Sequence, residues 1–353
     1  MAQSTVIDMN HISPSLLCRI QEERKCGSLP DKKKVLVFSD FGIDDIVAVL
    51  YAYYSDTIEI VGIVSDYGNV SRESALKNVK YLQSLTGITD IPVIGGAVSA
   101  LTGTQPQFYP EVHGVAGLGP IIPDEIDFDP SDISENFYEI KEIINQYAGE
   151  IYIYSAGRLS SLATAFVLYP ETMKKVKEFY VMGGAFLVPG NVTPVAEANF
   201  YGDPYAANIL LQLSPKKIHL IPLDVTMFAI ITPAMIDRLH DFYVKSNDKV
   251  GQIIKPMVDY YYEFYKKTYP DISGSPLHDL LAMWALADGD KMVFEEVPIR
   301  VAVNTGCTFG ESIGDFRKSP DKAPWPVHKI AKQFHYGQFI SEVFTTLQSG
   351  PSR

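Results

Sequence analysis

Three aspartates fall within six residues in the run Ser39-Asp40-Phe41-Gly42-Ile43-Asp44-Asp45, and a fourth lies far downstream in the pair His278-Asp279. Brought together, Asp40, Asp45 and Asp279 would form a cation site. Carboxylates sharing one place repel one another at a cost of several kcal/mol unless a cation sits among them. Oxygen-only ligands select a hard divalent ion, Ca2+ or Mg2+, over zinc. Asp44 and Asp45 also admit a plainer reading, because acidic residues commonly offset the dipole at a helix N-terminus. On that segment alone the two readings stand level.

The elements that position these groups follow a repeating pattern. Val35-Leu36-Val37-Phe38 is a short continuous apolar run, as in a strand buried on both faces of a parallel sheet. The polar turn after it opens a helix through Ile46, Val49, Leu50 and Tyr53. Further strands are predicted at 58–64, 92–94, 151–154, 179–182 and 218–222, with helices at 71–85, 159–166 and 204–213 among them. Residues 233–270 and 277–288 are helical in pattern. The alternation predicts an α/β fold, a single domain with an open, mostly parallel sheet flanked by helices. In such sheets ligands bind outside the carboxyl ends of the strands. The polar residues there are Asp40, Asp44 and Asp45, then Asp66, Gly68 and Asn69, then Ser155-Ala156-Gly157, and lastly Gly183-Gly184 with Asn191, Glu197 and Asn199.

The chain has 353 residues, 46% hydrophobic and 20% charged, an ordinary globular balance. Its 42 acids against 30 bases give a net charge of −12, and its longest basic run is only Lys32-Lys33-Lys34. A nucleic-acid partner is excluded on that charge. Three cysteines exclude a disulfide scaffold and suit a reducing, cytoplasmic compartment. No window reaches the 18 apolar residues of a membrane span, and Asp8, His11, Arg19, Glu22, Glu23, Arg24 and Lys25 leave no signal-peptide core. Residues 1–31 are expected to be an N-terminal extension, with a short helix carrying Leu16, Leu17 and Ile20, and 32–353 the catalytic domain. Residues 103–135, rich in proline, and 304–325 are expected to be long loops.

The motifs, taken in order, resemble the nucleoside hydrolases, the inosine–uridine-preferring family. Residues 38–45 are similar to the signature D-x-D-P-G-x-D-D. Met182-Gly183-Gly184-Ala185 through Asn191, Glu197, Asn199 and Asp203-Pro204 is similar to the central motif. Pro276-Leu277-His278-Asp279-Leu280-Leu281-Ala282 is similar to the C-terminal H-D-P-L-A. Smaller matches are Gly68-Asn69, His113-Gly114 and Leu223-Asp224-Val225-Thr226. Phe38 and Phe41 stand where the family has aspartate and proline, Ala198 where it has an aromatic, and Leu280 where it has proline. Ser155 to Ser161 follows the turn T-G-P-L-T-N only in outline.

The resemblance implies hydrolysis of the N-glycosidic bond of ribonucleosides to ribose and free base, with Ca2+ as cofactor. It implies Asp40, Asp45, Asp279 and the backbone carbonyl of Ala156 as metal ligands, and Asp40 as general base on a metal-bound water. It implies His278 as the second catalytic residue, protonating the departing base or, alternatively, orienting Asp279. Substrate contacts would come from Asp44, Asn69, His113, Met182, Asn191, Glu197, Asn199 and Asp279. For Asn191 and Asn199 the plainer reading is that of turn residues. Tyr261, Tyr262 and Tyr265 either stack on the base or belong to the core. The partner implied is a small-molecule ribonucleoside, with no nucleic acid or membrane, in a homodimer or homotetramer. Two alternatives stay open: a different or modified N-riboside, and a non-catalytic relative that binds calcium and a riboside.

Overall fold

The computed structural model describes residues 32–123, 128–288 and 291–350. The expected extension 1–31 and its short helix lie outside the described residues. A nine-stranded sheet forms the centre. Its strands are β1 (Lys33–Ser39), β2 (Ile58–Ser65), β3 (Val93–Gly95), β4 (Tyr152–Ser155), β5 (Glu178–Met182), β6 (His219–Ile221), β9 (Met292–Val301), β10 (Ser312–Gly314) and β11 (Val327–Phe334). They run in the order β10-β9-β11-β6-β5-β4-β1-β2-β3. From β11 to β3 neighbouring strands are parallel, and β9 and β10 add an antiparallel margin. β7 (Ile230–Ile231) and β8 (Ser275–Pro276) form a separate two-stranded ribbon.

Among the described residues the helices of nine or more residues are α1 (Ile43–Tyr54), α2 (Arg72–Thr86), α3 (Phe137–Gln146), α4 (Ser160–Leu168), α5 (Pro204–Leu213), α6 (Pro233–Lys245), α7 (Ile254–Thr268), α8 (His278–Ala287) and α9 (Tyr336–Leu347). Alternation along β1 divides the core. Val35 and Val37 pack on one face with α1, α7 and α8, while Leu36 and Phe38 pack on the other with α3, α4 and α5. Both faces are therefore covered, which is why these strands read as continuous apolar runs.

The helical stretch expected over 233–270 is broken in two places. Asn247 adopts φ 56°, and Asp248 then caps a short helix, Lys249–Gln252, by accepting from the amides of Val250 and Gly251. The loop expected at 304–325 contains β10, whose Ser312 Oγ accepts from the Ala185 amide and donates to the Ala185 carbonyl, both at 2.8 Å. Among the described residues no helix is long and apolar enough to cross a membrane.

β1 pairs with β2 on one side and with β4 on the other. Chain order therefore reverses at β1, and the turns that follow β1 and β4 lie side by side. This is the switch point at which open parallel sheets form a ligand crevice.

Candidate active site

The turn after β1 is built around Asp45. Its carboxylate accepts from Ser39 Oγ at 2.5 Å and from the Gly42 amide at 2.9 Å, reaching back from the first turn of α1 to the glycine that caps it. The capping reading of Asp45 and its place in the acidic cluster both hold. Phe41 sits inside this turn at φ 51°, a left-handed conformation that costs a bulky residue about 1 kcal/mol or more. The Asn78 amide holds it there, donating to the Phe41 carbonyl at 3.0 Å and to the Ala116 carbonyl at 2.7 Å.

Asp40 is fully buried beside Asp45. Its two oxygens accept from Asn69, from the backbone amide at 2.6 Å and from Nδ2 at 3.1 Å. Gly68 makes this approach possible, since a Cβ there would collide with the Asp40 carboxylate. Asp44 accepts from Tyr261 Oη at 3.3 Å through Oδ2, while its Oδ1 is buried without a hydrogen-bond partner. Asp279, in the first turn of α8, arrives opposite. One oxygen each of Asp44, Asp45 and Asp279 lies within 4.8 Å of the others. Sequence reasoning grouped Asp40 with Asp45 and Asp279; the set that converges in the structure contains Asp44.

Burial raises the pKa of all four carboxylates, and repulsion from the neighbouring carboxylates adds to it at Asp44, Asp45 and Asp279, with Asp44 raised to about 7. Arg158 opposes this at Asp40. An unpartnered buried oxygen and four carboxylates that resist ionising together are what a cation would relieve. The three oxygens are close enough for one hard cation to reach them together.

Above the cluster opens a cleft of about 350 Å3, within the range of small-molecule sites. Asp44, Asn69, Ala156, Met182, Asn199 and Asp279 line its floor and walls together with Asn191, Glu197, His113 and His278, while Asp40 and Asp45 lie behind that lining. Glu197 is held by backbone, accepting from the amides of Asn199, Gly184 and Phe200 at 2.8, 2.9 and 3.1 Å. Asn191 Oδ1 accepts from the Ala198 amide at 2.9 Å. Both therefore hold local backbone while lining the cleft, and for Asn191 that is the turn role of its plainer reading.

At the far end Tyr261, Phe264, Tyr265 and Tyr269 form an aromatic wall. Tyr262 points elsewhere and donates to the Ile272 carbonyl. Tyr265 Oη lies 2.8 Å from His278 Nε2, and Thr226 Oγ1 lies 2.8 Å from His278 Nδ1. Burial lowers the His278 pKa to about 4. His113 Nδ1 accepts from the Ile43 amide at 3.1 Å, and burial, Arg158 and His278 hold its pKa near 3. Both imidazoles are neutral at pH 7.

Sequence reasoning missed Arg158, Tyr109, Thr226 and Phe264. Arg158 stood in a turn already singled out, but one arginine in a turn carries no periodic signal. The aromatic residues of α7 were read only in part.

Residues 35–341 match the sequence model of the inosine-uridine preferring nucleoside hydrolases. The chain belongs to that family. It is 34% identical over 314 residues to a probable uridine nucleosidase 2 of Arabidopsis thaliana, covering 86% of this chain and 94% of the relative. It is 31% identical over 287 residues to an inosine-uridine preferring nucleoside hydrolase of Leishmania major, covering 81% and 88%. A solved plant nucleoside hydrolase superposes with a TM-score of 0.82 at 31% identity, covering 90% of this chain and 99% of that one. A purine-preferring ribonucleoside hydrolase from Gardnerella vaginalis gives 0.80 at 29%, covering 90% and 98%. This hydrolase is accordingly an enzyme that cleaves the N-glycosidic bond of ribonucleosides, and the cleft over the aspartate cluster is the candidate place for that reaction.

Proposed function

We propose that the protein hydrolyses ribonucleosides to ribose and free base with Ca2+ held by Asp40, Asp45, Asp279 and the Ala156 carbonyl. The observation that carries this reading is the buried convergence of Asp44, Asp45 and Asp279 at the base of the cleft, where Asp44 and Asp279 line it and Asp45 sits behind with Asp40 beside it. When bound, the ion holds and acidifies the attacking water and anchors sugar hydroxyls.

The chain's own residues supply the rest. Asp40, oriented by the two Asn69 bonds, takes the proton of the attacking water. The free Oδ1 of Asp44 accepts from a ribose hydroxyl. Carboxylates grouped under the sugar favour the positive charge that develops as the glycosidic bond opens. At the other end, Thr226, His278 and Tyr265 form a hydrogen-bonded series into the cleft. With Thr226 donating to Nδ1 and Nε2–H donating to Tyr265, the tyrosine O–H is left to donate a hydrogen bond to the departing base and stabilise its developing negative charge.

Release of reducing sugar from inosine, adenosine, uridine and cytidine, with and without chelator, tests the reading. Turnover that chelator abolishes and calcium restores is expected. A calcium-replete protein that cleaves none of the four would leave a binding role in its place.

A further inference from the structure

Arg158 lies in the turn between β4 and α4 and is 2% exposed, a buried guanidinium beside a nest of carboxylates. Its Nη1 donates to Asn199 Oδ1 at 2.7 Å. The amide nitrogen of Asn199 is committed too, donating to the carbonyls of Ala156 at 3.0 Å and Met182 at 3.3 Å. A flipped amide would set its NH2 against the guanidinium donors and its oxygen against two carbonyl oxygens, so these partners admit one orientation. Both amide hydrogens are then spent and one lone pair of Oδ1 is taken. What Asn199 offers the cleft is a single acceptor, the complement of a sugar hydroxyl that donates.

The seat of Arg158 is built for it. A Cβ on Gly202 would collide with the Arg158 Cδ and Nε, and the Tyr109 ring faces the guanidinium with its centroid 5.9 Å from Cζ.

We propose that Arg158 is a positioning residue that, through Asn199, fixes one ribose-hydroxyl contact and steadies the Ala156 carbonyl on the cleft floor. This rests on the reading that the cleft holds a ribonucleoside and a cation. The charge-assisted bond is of the kind whose loss is large. Its charge also counters the effect of burial on Asp40 and Glu197.

The test is a cycle of Arg158→Met and Asn199→Ala, singly and together, assayed on uridine and its 2′-, 3′- and 5′-deoxy analogues. Arg158→Met is expected to lower kcat/KM on uridine about 10- to 100-fold. That loss should vanish in the Asn199→Ala background and shrink on the one analogue that lacks the hydroxyl bound by Asn199. The same fold-loss in both backgrounds, or on all four substrates, would overturn the proposal. Arg158→Lys, which keeps charge and aliphatic stem, should recover part of the activity, and it carries the same comparison if the Met variant does not fold.

Calcium affinity, measured by chelator competition, reads the Ala156 half without turnover. A several-fold weaker Kd in Arg158→Met is expected, and an unchanged Kd would overturn that half. A wild-type protein that cleaves no riboside overturns the reading of the site, and calcium affinity then remains as the test of Arg158.

Discussion

The hydroxyl of Tyr265 lies 2.8 Å from Nε2 of His278, and the histidine's other nitrogen is engaged 2.8 Å away by Thr226. The imidazole thus faces the substrate space through a phenol. Tyr265→Phe should lower kcat on inosine and uridine about 10²-fold, the scale of losing one donor to a developing negative charge. It should spare p-nitrophenyl riboside, whose phenolate leaves without a proton. His278→Ala should follow the same pattern. Equal losses on both substrate types would assign His278 to orienting Asp279.

Asp40 and Asp44 differ in what surrounds them, and their amides should differ in effect. Asp40→Asn keeps shape but cannot take a proton, so kcat should fall about 10²-fold or more with a milder change in KM. Asp44→Asn should chiefly raise KM and leave calcium affinity within a few-fold. Calcium titration of both variants decides it: a large loss of affinity in Asp44→Asn alone would move Asp44 into the ligand set in place of Asp40.

Stability should depend on pH in a way that calcium alters. Asp44 keeps its proton to about pH 7 in the metal-free fold and loses it near 3.8 when unfolded, so between those values the native state binds more protons. Its contribution therefore falls as pH rises through that window, and Asp40, Asp45 and Asp279 act in the same direction. His113 and His278, near 3 and 4 when folded against 6.5 unfolded, act the other way and cost stability as pH drops below 6.5. Calcium removes the first penalty, so the gain in Tm on adding it should grow from pH 5 to pH 8. A gain that stays flat across this range would show that these carboxylates do not hold the ion.

Phe41 is buried and left-handed, in the turn that carries the aspartates. Proline locks φ near −65° and cannot adopt 51°. Phe41→Pro, a change toward the family motif, should destabilise the protein by about 3 kcal/mol or more through lost packing and a displaced turn. Thermal melts check this; an unchanged Tm would mean that the turn accommodates both backbones.

The β-α alternation was legible because strands covered on both faces leave unbroken apolar runs such as Val35 to Phe38. β9 and β11 were not, because Glu295, Glu296, Lys329 and Lys332 interrupt strands that lie nearer the open margin of the sheet. The meeting of Asp45 with Asp279 was legible as a candidate carboxylate site and from the order of the motifs, but no local pattern joins residues so far apart. That Asp44 shares the converging set depends on α8 docking against α1, a matter of packing rather than spacing. Arg158 was invisible for a related reason: its partner Asn199 belongs to another strand-end turn.

The position of β1 bears on how this chain is made. Among the described strands it is the first in sequence, yet it lies in the interior of the sheet, with β2 close behind it and β4 more than a hundred residues later. Until β4 is synthesised, one hydrogen-bonding edge of Val35 to Phe38 stays open on the ribosome, flat and apolar. Open strand edges of that kind recruit other chains. Newly made protein should therefore pass through a sticky interval, ending when Tyr152–Ser155 closes the gap beside the aspartate turn.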